Sequence, residues 1–358
     1  MAGVNHHEIV SLLKLLPKTE FAFYYNHVSR KTSGSRLIVA VNDLKEFHKE
    51  NIKNNKTHYP YTARVFKEKL IAFFSKYGAR IHFNQFKIEN DKIMTYGVIK
   101  KQDLIQDLKL WETLWVSSFM MRPVTYLHKN PDIQIAHQNN LRSACAYAAL
   151  LTKNGAWEVE FYKNIVSIPH YQTYSKLFRL IDREDPEDIV TTQLEQFREI
   201  YEPIVKNTFD DSIFLADGKF GKDETSSVTK YLLSNMNDNV HQNLFKAVSP
   251  LKYDTDKKFH KKTMNRKAIY EGIDEYLSKQ DHENLNQKLT RAVDKILLAH
   301  RNSKIFLVLM SGPFLISFYI FKYMLKIILI YYIFKKPAKD KEGEKNDKSE
   351  SSPKVVQN

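Results

Sequence analysis

The hydrophobic period of this chain changes once, near residue 103, from two residues to about 3.6, and that change limits the folds open to it. Before it lie strand-like runs at Phe21–Tyr25, Leu37–Val41, Arg80–Phe86 and Lys92–Ile99, the last two around a turn at Glu89-Asn90-Asp91. The run Leu37-Ile38-Val39-Ala40-Val41 is apolar throughout, which predicts a strand covered on both faces. Two helices interleave with these strands. Glu8–Leu16 is amphipathic and ends at Pro17, and ARVFKEKLIAFFSKY (63–77) turns Val65, Leu70, Phe73 and Phe74 inward before a Gly78 cap. Beyond the change, Leu104, Leu108, Trp111, Leu114 and Trp115 make one helical face, with Asp103 as its N-cap. A strand at Val124–Leu127 follows Pro123, and further helices are predicted at Ala136–Leu151, Val159–Val166, Glu187–Val205 and Ser226–Leu233. Strands and helices interleaved early, then helices, define an α/β (α+β) core leading into a helical lobe.

The C-terminal third differs in composition. KYDTDKKFHKKTMNRK (252–267) reads either as a solvated loop or as a membrane-facing patch, and a polar helix at Ile269–His300 follows. From Ile305 to Phe321 there are 17 residues without a charge, and the apolar run resumes from Ile327 to Phe334. Lys322 and Lys326 interrupt it four residues apart, on one face of a helix. Thirty helical residues reach about 45 Å, against a bilayer core of about 30 Å. Either a tilted helix spans with its lysines snorkelling, or the first 17 residues insert and the rest lies at the interface. A kink is predicted at Pro313, and the charged tail 337–358 is expected to be disordered.

The net charge of +14 is carried mainly by lysine, with arginine at only 12 of 55 basic positions. Arginine is the residue of bidentate phosphate contacts, so the charge suits an anionic membrane surface better than nucleic acid. One cysteine, Cys145, excludes an internal disulfide framework and a cysteine zinc site. The opening residues MAGVNHHEIVSLLKLL lack the pattern of a secretory signal or transit peptide, and His6-His7 is expected to face solvent.

Residues 74–215 carry a resemblance. Phe83-Asn84-x-Phe86, Tyr96-Gly97-Val98, Arg122-Pro123-Val124, Asn140-Leu141-x-x-Ala144, Glu184-Asp185-Pro186 and Phe197-x-x-x-Tyr201-x-Pro203 follow one another in fixed order. They resemble the "FNPF", "YGV", "KPV", "NLxxA", "ENP" and "FxxxYxP" elements of the mitochondrial phosphatidate cytidylyltransferase (translocator assembly and maintenance) family. The resemblance implies a nucleotidyltransferase-like domain (1–130) followed by a helical domain (131–250). The composition adds a basic linker with a polar helix (251–303) and a transmembrane or membrane-embedded helix (304–336), far more hydrophobic than the amphipathic C-terminus of the family. It also implies attachment to the mitochondrial inner membrane, with the globular part on the matrix side.

Members of that family make CDP-diacylglycerol from CTP and phosphatidate for cardiolipin synthesis, with Mg²⁺ held by strand carboxylates. Glycines and a serine in a "GYGS" turn let the chain approach the triphosphate. Here the corresponding residues are Tyr24-Tyr25-Asn26-His27, and Arg36 stands where the strand aspartate belongs. A guanidinium repels a cation instead of binding it. The expectation is therefore a catalytically inactive relative with no metal and no cofactor, serving as a membrane-anchored accessory subunit of a respiratory-chain or ATP-synthase assembly. Its partners are then other membrane subunits and anionic phospholipid, not nucleic acid. The alternative is an active enzyme using CTP and Mg²⁺, with Asp43 as the metal ligand through a slipped alignment. Arg36 has two readings, a retained phosphate or lipid contact or a surface residue at a strand start. Arg122, Asn140 and Arg142 likewise either line the old cleft or serve packing and helix surface, and His27 is either a general base or structural.

Overall fold

The period-two runs pair edge to edge into one mixed sheet in the computed structural model. It describes residues 6–28, 33–59, 80–87, 93–170, 185–248, 266–278 and 282–299, with scattered helical positions between 64 and 75. The chain divides into two units, Met1–Ser311 and Gly312–Asn358, and every described residue belongs to the first. The predicted membrane helix, the turn at 89–91 and the Gly78 cap lie outside the described residues, as does most of the 252–267 segment.

A helix α1 (His6–Leu15) precedes the hairpin β1 (Phe21–Val28) and β2 (Ser33–Val41), and α2 (Leu44–Asn54) comes after it. Strands β3 (Ile81–Lys87), β4 (Ile93–Lys100) and β5 (Thr125–His128) complete a sheet of order β3-β4-β2-β1-β5, in which β2 and β4 run parallel and every other pair antiparallel. Helices α1 and α2 cover one face through Ile9, Leu12, Leu44 and Phe47, packed on Ala22, Leu37, Val39 and Val98. The other face, built from Phe21, Phe23, Tyr25, Ile38 and Ala40, packs against Leu104, Leu108, Val116, Met120 and Ile133. That two-sided burial is why β2 reads as unbroken apolar sequence rather than alternating.

Helices α3 (Lys101–Leu110), α4 (Val116–Phe119) and α5 (Pro131–Leu151) lead from the sheet into the helical region. Helix α5 is its axis: Ala144, Cys145, Ala146, Tyr147, Ala148 and Ala149 are all buried, and small residues let neighbours approach closely. Around it pack α6 (Glu158–Ser167), α7 (Pro186–Thr192), α8 (Leu194–Phe209), a hairpin β6 (Ile213–Ala216) and β7 (Lys219–Lys222), α9 (Ser226–Ser234) and α10 (Asp238–Val248). Two more helices, α11 (Arg266–Ser278) and α12 (His282–Ala299), contribute Ile273, Leu277, Leu289 and Val293 to the same core. Residues 266–299 thus extend the helical domain, where a linker and one continuous polar helix were expected.

Four local expectations are corrected. Asp103 is not an N-cap: α3 begins at Lys101 with Lys100 in the cap position and no side-chain cap bond. The helix also stops at Leu110, because Trp111 takes a left-handed conformation (φ 53°), so Trp111, Leu114 and Trp115 do not extend its face. Asp107, one turn before that break, organises the loop between α3 and α4. Its Oδ1 accepts from Thr113 N (2.7 Å), Thr113 Oγ1 (2.9 Å) and Leu114 N (3.0 Å), and Oδ2 accepts from Ser117 N (2.9 Å). Glu187–Val205 is two helices, not one, separated at Gln193. Finally, Val65 is exposed, although it was expected to face inward.

Candidate functional site

The residues read against the family's "GYGS" turn do not form a turn. The β1–β2 ladder runs on through Tyr24↔Leu37, Tyr25↔Arg36, Asn26↔Ser35 and His27↔Gly34 to Val28↔Ser33. Tyr24, Tyr25, Asn26 and His27 are therefore extended strand, and Arg36 lies in the middle of β2 instead of at its start. Asn26 Oδ1 accepts from Ser35 Oγ at 3.0 Å, a side-chain bond that reinforces the ladder.

Tyr25 fills the space behind this strand. Its ring is 1% exposed, stacks on Phe119 at 4.8 Å between centroids, and lies 5.1 Å from the guanidinium carbon of Arg122. Arg122 is itself buried and also lies 5.9 Å from the Phe119 centroid. A cation over two aromatic faces is a stabilising arrangement in a desolvated place. Arg122 is thus part of the packing that closes the back of the site.

In front of β1 lies a cleft of about 270 Å³. Its walls are Tyr24, Tyr25 and Asn26 of β1, Pro123, Val124 and Thr125 before and in β5, and Gln193, Gln196, Glu199 and Ile200 at the start of α8. Side-chain amides and one carboxylate, Glu199, supply most of its polarity; Gln193 is buried and its Nε2 has no hydrogen-bond partner. The other expected contacts do not converge here. Asn140 is buried, donates to Ser117 O (2.9 Å) and accepts from Trp111 Nε1 (2.8 Å), which makes it a strut between α5 and the α3–α4 loop. Arg142 lines a separate groove with Lys109 and Asn237.

Asp43, the carboxylate of the alternative reading, does not line this cleft. Asp43 is committed as the N-cap of α2, accepting from Lys45 N (2.7 Å) and Glu46 N (3.1 Å). Among the described residues no group of three or more His, Cys, Asp or Glu side chains is arranged to hold a metal.

On the opposite face of the sheet a buried polar cluster escaped the sequence reading. Asn51 of α2 donates through Nδ2 to both Tyr59 Oη (2.8 Å) and Tyr96 Oη (2.7 Å). Each phenol then meets an imidazole, His48 Nδ1 at 2.8 Å from Tyr59 and His58 Nδ1 at 3.1 Å from Tyr96. The phenols accept from Asn51, and each can donate its proton to the neighbouring imidazole when that ring is neutral and unprotonated at Nδ1. Burial favours neutral imidazoles: it pushes His48 well below its ordinary value of 6.5, lowers His58 and takes His82 down to about 4, and it raises both phenols. His82 Nε2 bonds Asn84 Oδ1 at 3.1 Å, and its ring meets His48 edge-on at 5.1 Å. The scattered spacing of 48, 51, 58, 59, 82, 84 and 96 carries no periodic signal, so only the fold reveals the cluster.

A mixed five-stranded sheet covered on both faces, followed by a helical region with a cleft at their junction, defines an α+β domain with an appended helical domain. Residues 18–326 match the family described as mitochondrial phosphatidate cytidylyltransferase, and the chain belongs to that family. It is 30% identical over 191 residues to the phosphatidate cytidylyltransferase of Saccharomyces cerevisiae, covering 51% of this chain and 48% of that protein. It is 29% identical over 197 residues to that of Danio rerio, covering 51% and 57%, and 28% identical over 175 residues to that of Homo sapiens, covering 48% and 38%. The chain thus spans about half the length of the curated relatives it matches.

Proposed function

We propose that this chain is a noncatalytic member of its family that serves as a membrane-anchored accessory subunit in a mitochondrial inner-membrane assembly of the respiratory-chain or ATP-synthase kind. The observation that carries this reading is the β1–β2 ladder itself. Tyr25 and Arg36 face each other as paired strand residues where the family's chemistry needs a glycine turn and a carboxylate. A buried ring occupies the room that glycine would leave for a phosphate, and a fixed positive charge replaces the metal ligand. Asp43, the carboxylate next along the strand, already caps a helix.

The anchor in this reading is the stretch 304–336. Among the described residues no helix is long and apolar enough to cross a membrane, so the role falls to that sequence. The globular part then sits on the matrix side, against anionic phospholipid such as phosphatidate and cardiolipin. The test has two arms. Purified chain with CTP, Mg²⁺ and phosphatidate is expected to release no pyrophosphate, and native gels of gently solubilised mitochondria are expected to place it in a complex much heavier than the monomer. Migration alone on such gels sinks the subunit role.

A second reading is favoured by the relatives, which all carry the name phosphatidate cytidylyltransferase. In it the chain transfers cytidylyl groups with ligands from unfamiliar positions, Asp43 among them. Asp43→Asn separates chemistry from folding here, because asparagine caps a helix as well as aspartate does. Pyrophosphate release that Asp43→Asn abolishes, in a chain that melts normally, establishes this second reading over the first.

A further inference from the structure

The ladder between β1 and β5 stops early. It pairs Ala22 with His128, Phe23 with Tyr126 and Tyr24 with Thr125, while β1 itself continues to Val28. Among the described residues no strand pairs with Asn26, His27 or Val28 on that side, and no other backbone bond reaches them there. An uncovered strand edge presents N–H and C=O groups that a second extended chain can complete. On their other side the same three residues are held in register by β2, so the edge is already extended before anything binds.

The cleft of about 270 Å³ opens on this edge. Pro123, Val124 and Thr125 line it where β5 begins, and Gln196, Glu199 and Ile200 line it from α8. Its lining holds no lysine, arginine or histidine, and one carboxylate. A polyphosphate meets no counter-charge there and is repelled by Glu199. Amides and a threonine hydroxyl instead match the peptide groups of an extended chain. Arg198 pairs with Glu158 and Glu195, whereas Glu199 is exposed and has no ion-pair partner among the described residues. The volume falls below the roughly 300–1,000 Å³ of enclosed small-molecule sites, which suits a few residues laid along a strand.

We propose that this cleft docks an extended segment of a partner subunit, added to the edge of β1 at Asn26–Val28, with a lysine or arginine of that segment paired to Glu199. The inference rests on the noncatalytic, accessory-subunit reading and names the contact by which such a subunit holds its neighbour. A second copy of the chain fits less well, because a two-fold contact has to bring two recessed edges together.

The test exposes the full chain to a display library of eight-residue peptides and follows the enriched sequences by fluorescence anisotropy and hydrogen exchange. Enriched peptides are expected to carry a lysine or arginine and to slow exchange at Asn26–Val28 while leaving α5 unchanged. Glu199→Lys, an exposed substitution, is expected to weaken them at least about tenfold. Methylating alternate amide nitrogens of the peptide is expected to abolish binding, a change that cannot unfold the protein. No enrichment, binding that survives either change, or protection only outside β1 overturns the proposal. So does enrichment of sequences matching this chain's own residues 337–358, or dimerisation of the chain that peptide disrupts, since each assigns a different occupant. Pyrophosphate release from CTP and phosphatidate, measured on the same preparation, judges the noncatalytic reading separately. An inactive chain that binds no peptide overturns this inference alone, and an active one overturns the reading beneath it.

Discussion

The guanidinium of Arg122 lies 5.1 Å from the ring centroid of Tyr25, and the same ring stacks on Phe119 at 4.8 Å. This triad joins β1 to α4 and to the segment that enters β5, so the tyrosine is a structural element of the sheet's covered face. Restoring a small residue there removes the middle of the stack. Tyr25→Ala is expected to cost about 3–5 kcal/mol, as large buried aromatics do, while Tyr25→Phe stays within about 1.5 kcal/mol. Urea midpoints of the two variants check this, and similar midpoints for both contradict it.

Asn51 is the second point of leverage. One amide nitrogen serves two phenols, and Asn55 Nδ2 in turn donates to Asn51 Oδ1 at 2.8 Å. Asn51→Leu keeps the volume but removes the donor that both phenol oxygens share and one of the acceptors of the Asn55 amide. A loss of about 2–4 kcal/mol is expected from the interior bonds left unmade. Adding Tyr96→Phe to Asn51→Leu should recover part of that loss, because one under-bonded oxygen goes with it. A double-mutant cycle reads the recovery as a coupling energy, and strictly additive losses contradict the shared bond.

Buried histidines give the chain an acid limit. His82 is pushed down to about 4 by burial, and so is His137, which touches Met120 O through Nε2 (2.6 Å) and Tyr126 Oη through Nδ1. In the unfolded chain each accepts a proton near 6.5, so below that pH the unfolded state binds more protons and stability falls. The stability is fully present above about 6.5 and declines as pH drops toward 4, by up to about 3 kcal/mol for each histidine. Urea midpoints at pH 7.5, 6.0 and 5.0 measure the slope. His137→Gln is expected to flatten it; an unchanged slope removes His137 from the account.

How much of this was legible beforehand depends on the range of the interaction. Residues 37–41 announced a doubly covered strand, because burial on both faces writes itself into consecutive positions. The hairpin β6–β7 was legible but overlooked: Asp217-Gly218 sits at its turn with φ of 52° and 70°, the backbone an Asp-Gly pair favours. The N-cap was sought at Asp103, whereas the carboxylate that organises the region is Asp107, and its four bonds reach forward to residues 113–117. The cleft beside β1 could not be foreseen, since one of its walls comes from Gln193, Gln196, Glu199 and Ile200, some 170 residues downstream. Motif order pointed to Arg122, Asn140 and Arg142 as one set, yet the fold sends them to a stack, a strut and a remote groove.

Asp107 offers a test of that loop. An amide at this position keeps the shape but turns one acceptor into a donor, against either the three hydrogens on Oδ1 or the Ser117 N–H on Oδ2. Asp107→Asn is expected to destabilise by about 1.5–3 kcal/mol, the range of charge-assisted bonds. Hydrogen exchange at Leu114 and Ser117 should rise more than exchange at the α5 core. Uniform acceleration across both regions contradicts a local role.

Arg36 offers a test of the proposed inactivity, because Arg36→Asp places a carboxylate where the resemblance implies one. Arg36→Asp is nonetheless expected to gain no metal-dependent CTP binding. The Tyr25 ring still fills the strand's rear, and the ladder still extends through Asn26↔Ser35 to Val28↔Ser33. Glu199 across the cleft approaches from α8, and Asp43 stays bound to Lys45 N and Glu46 N. A divalent ion that bridges phosphates needs several oxygen donors at about 2.0–2.1 Å, and one new carboxylate supplies a fraction of them. Calorimetry with CTP, with and without Mg²⁺, compares the wild type, Arg36→Asp, and Arg36→Asp combined with Tyr25→Gly and Asn26→Ser. Equal Mg²⁺-dependent heats for the first two are expected. A tenfold gain from Arg36→Asp alone shows instead that the strand is already shaped for a nucleotide, and shifts the weight to the enzymatic reading.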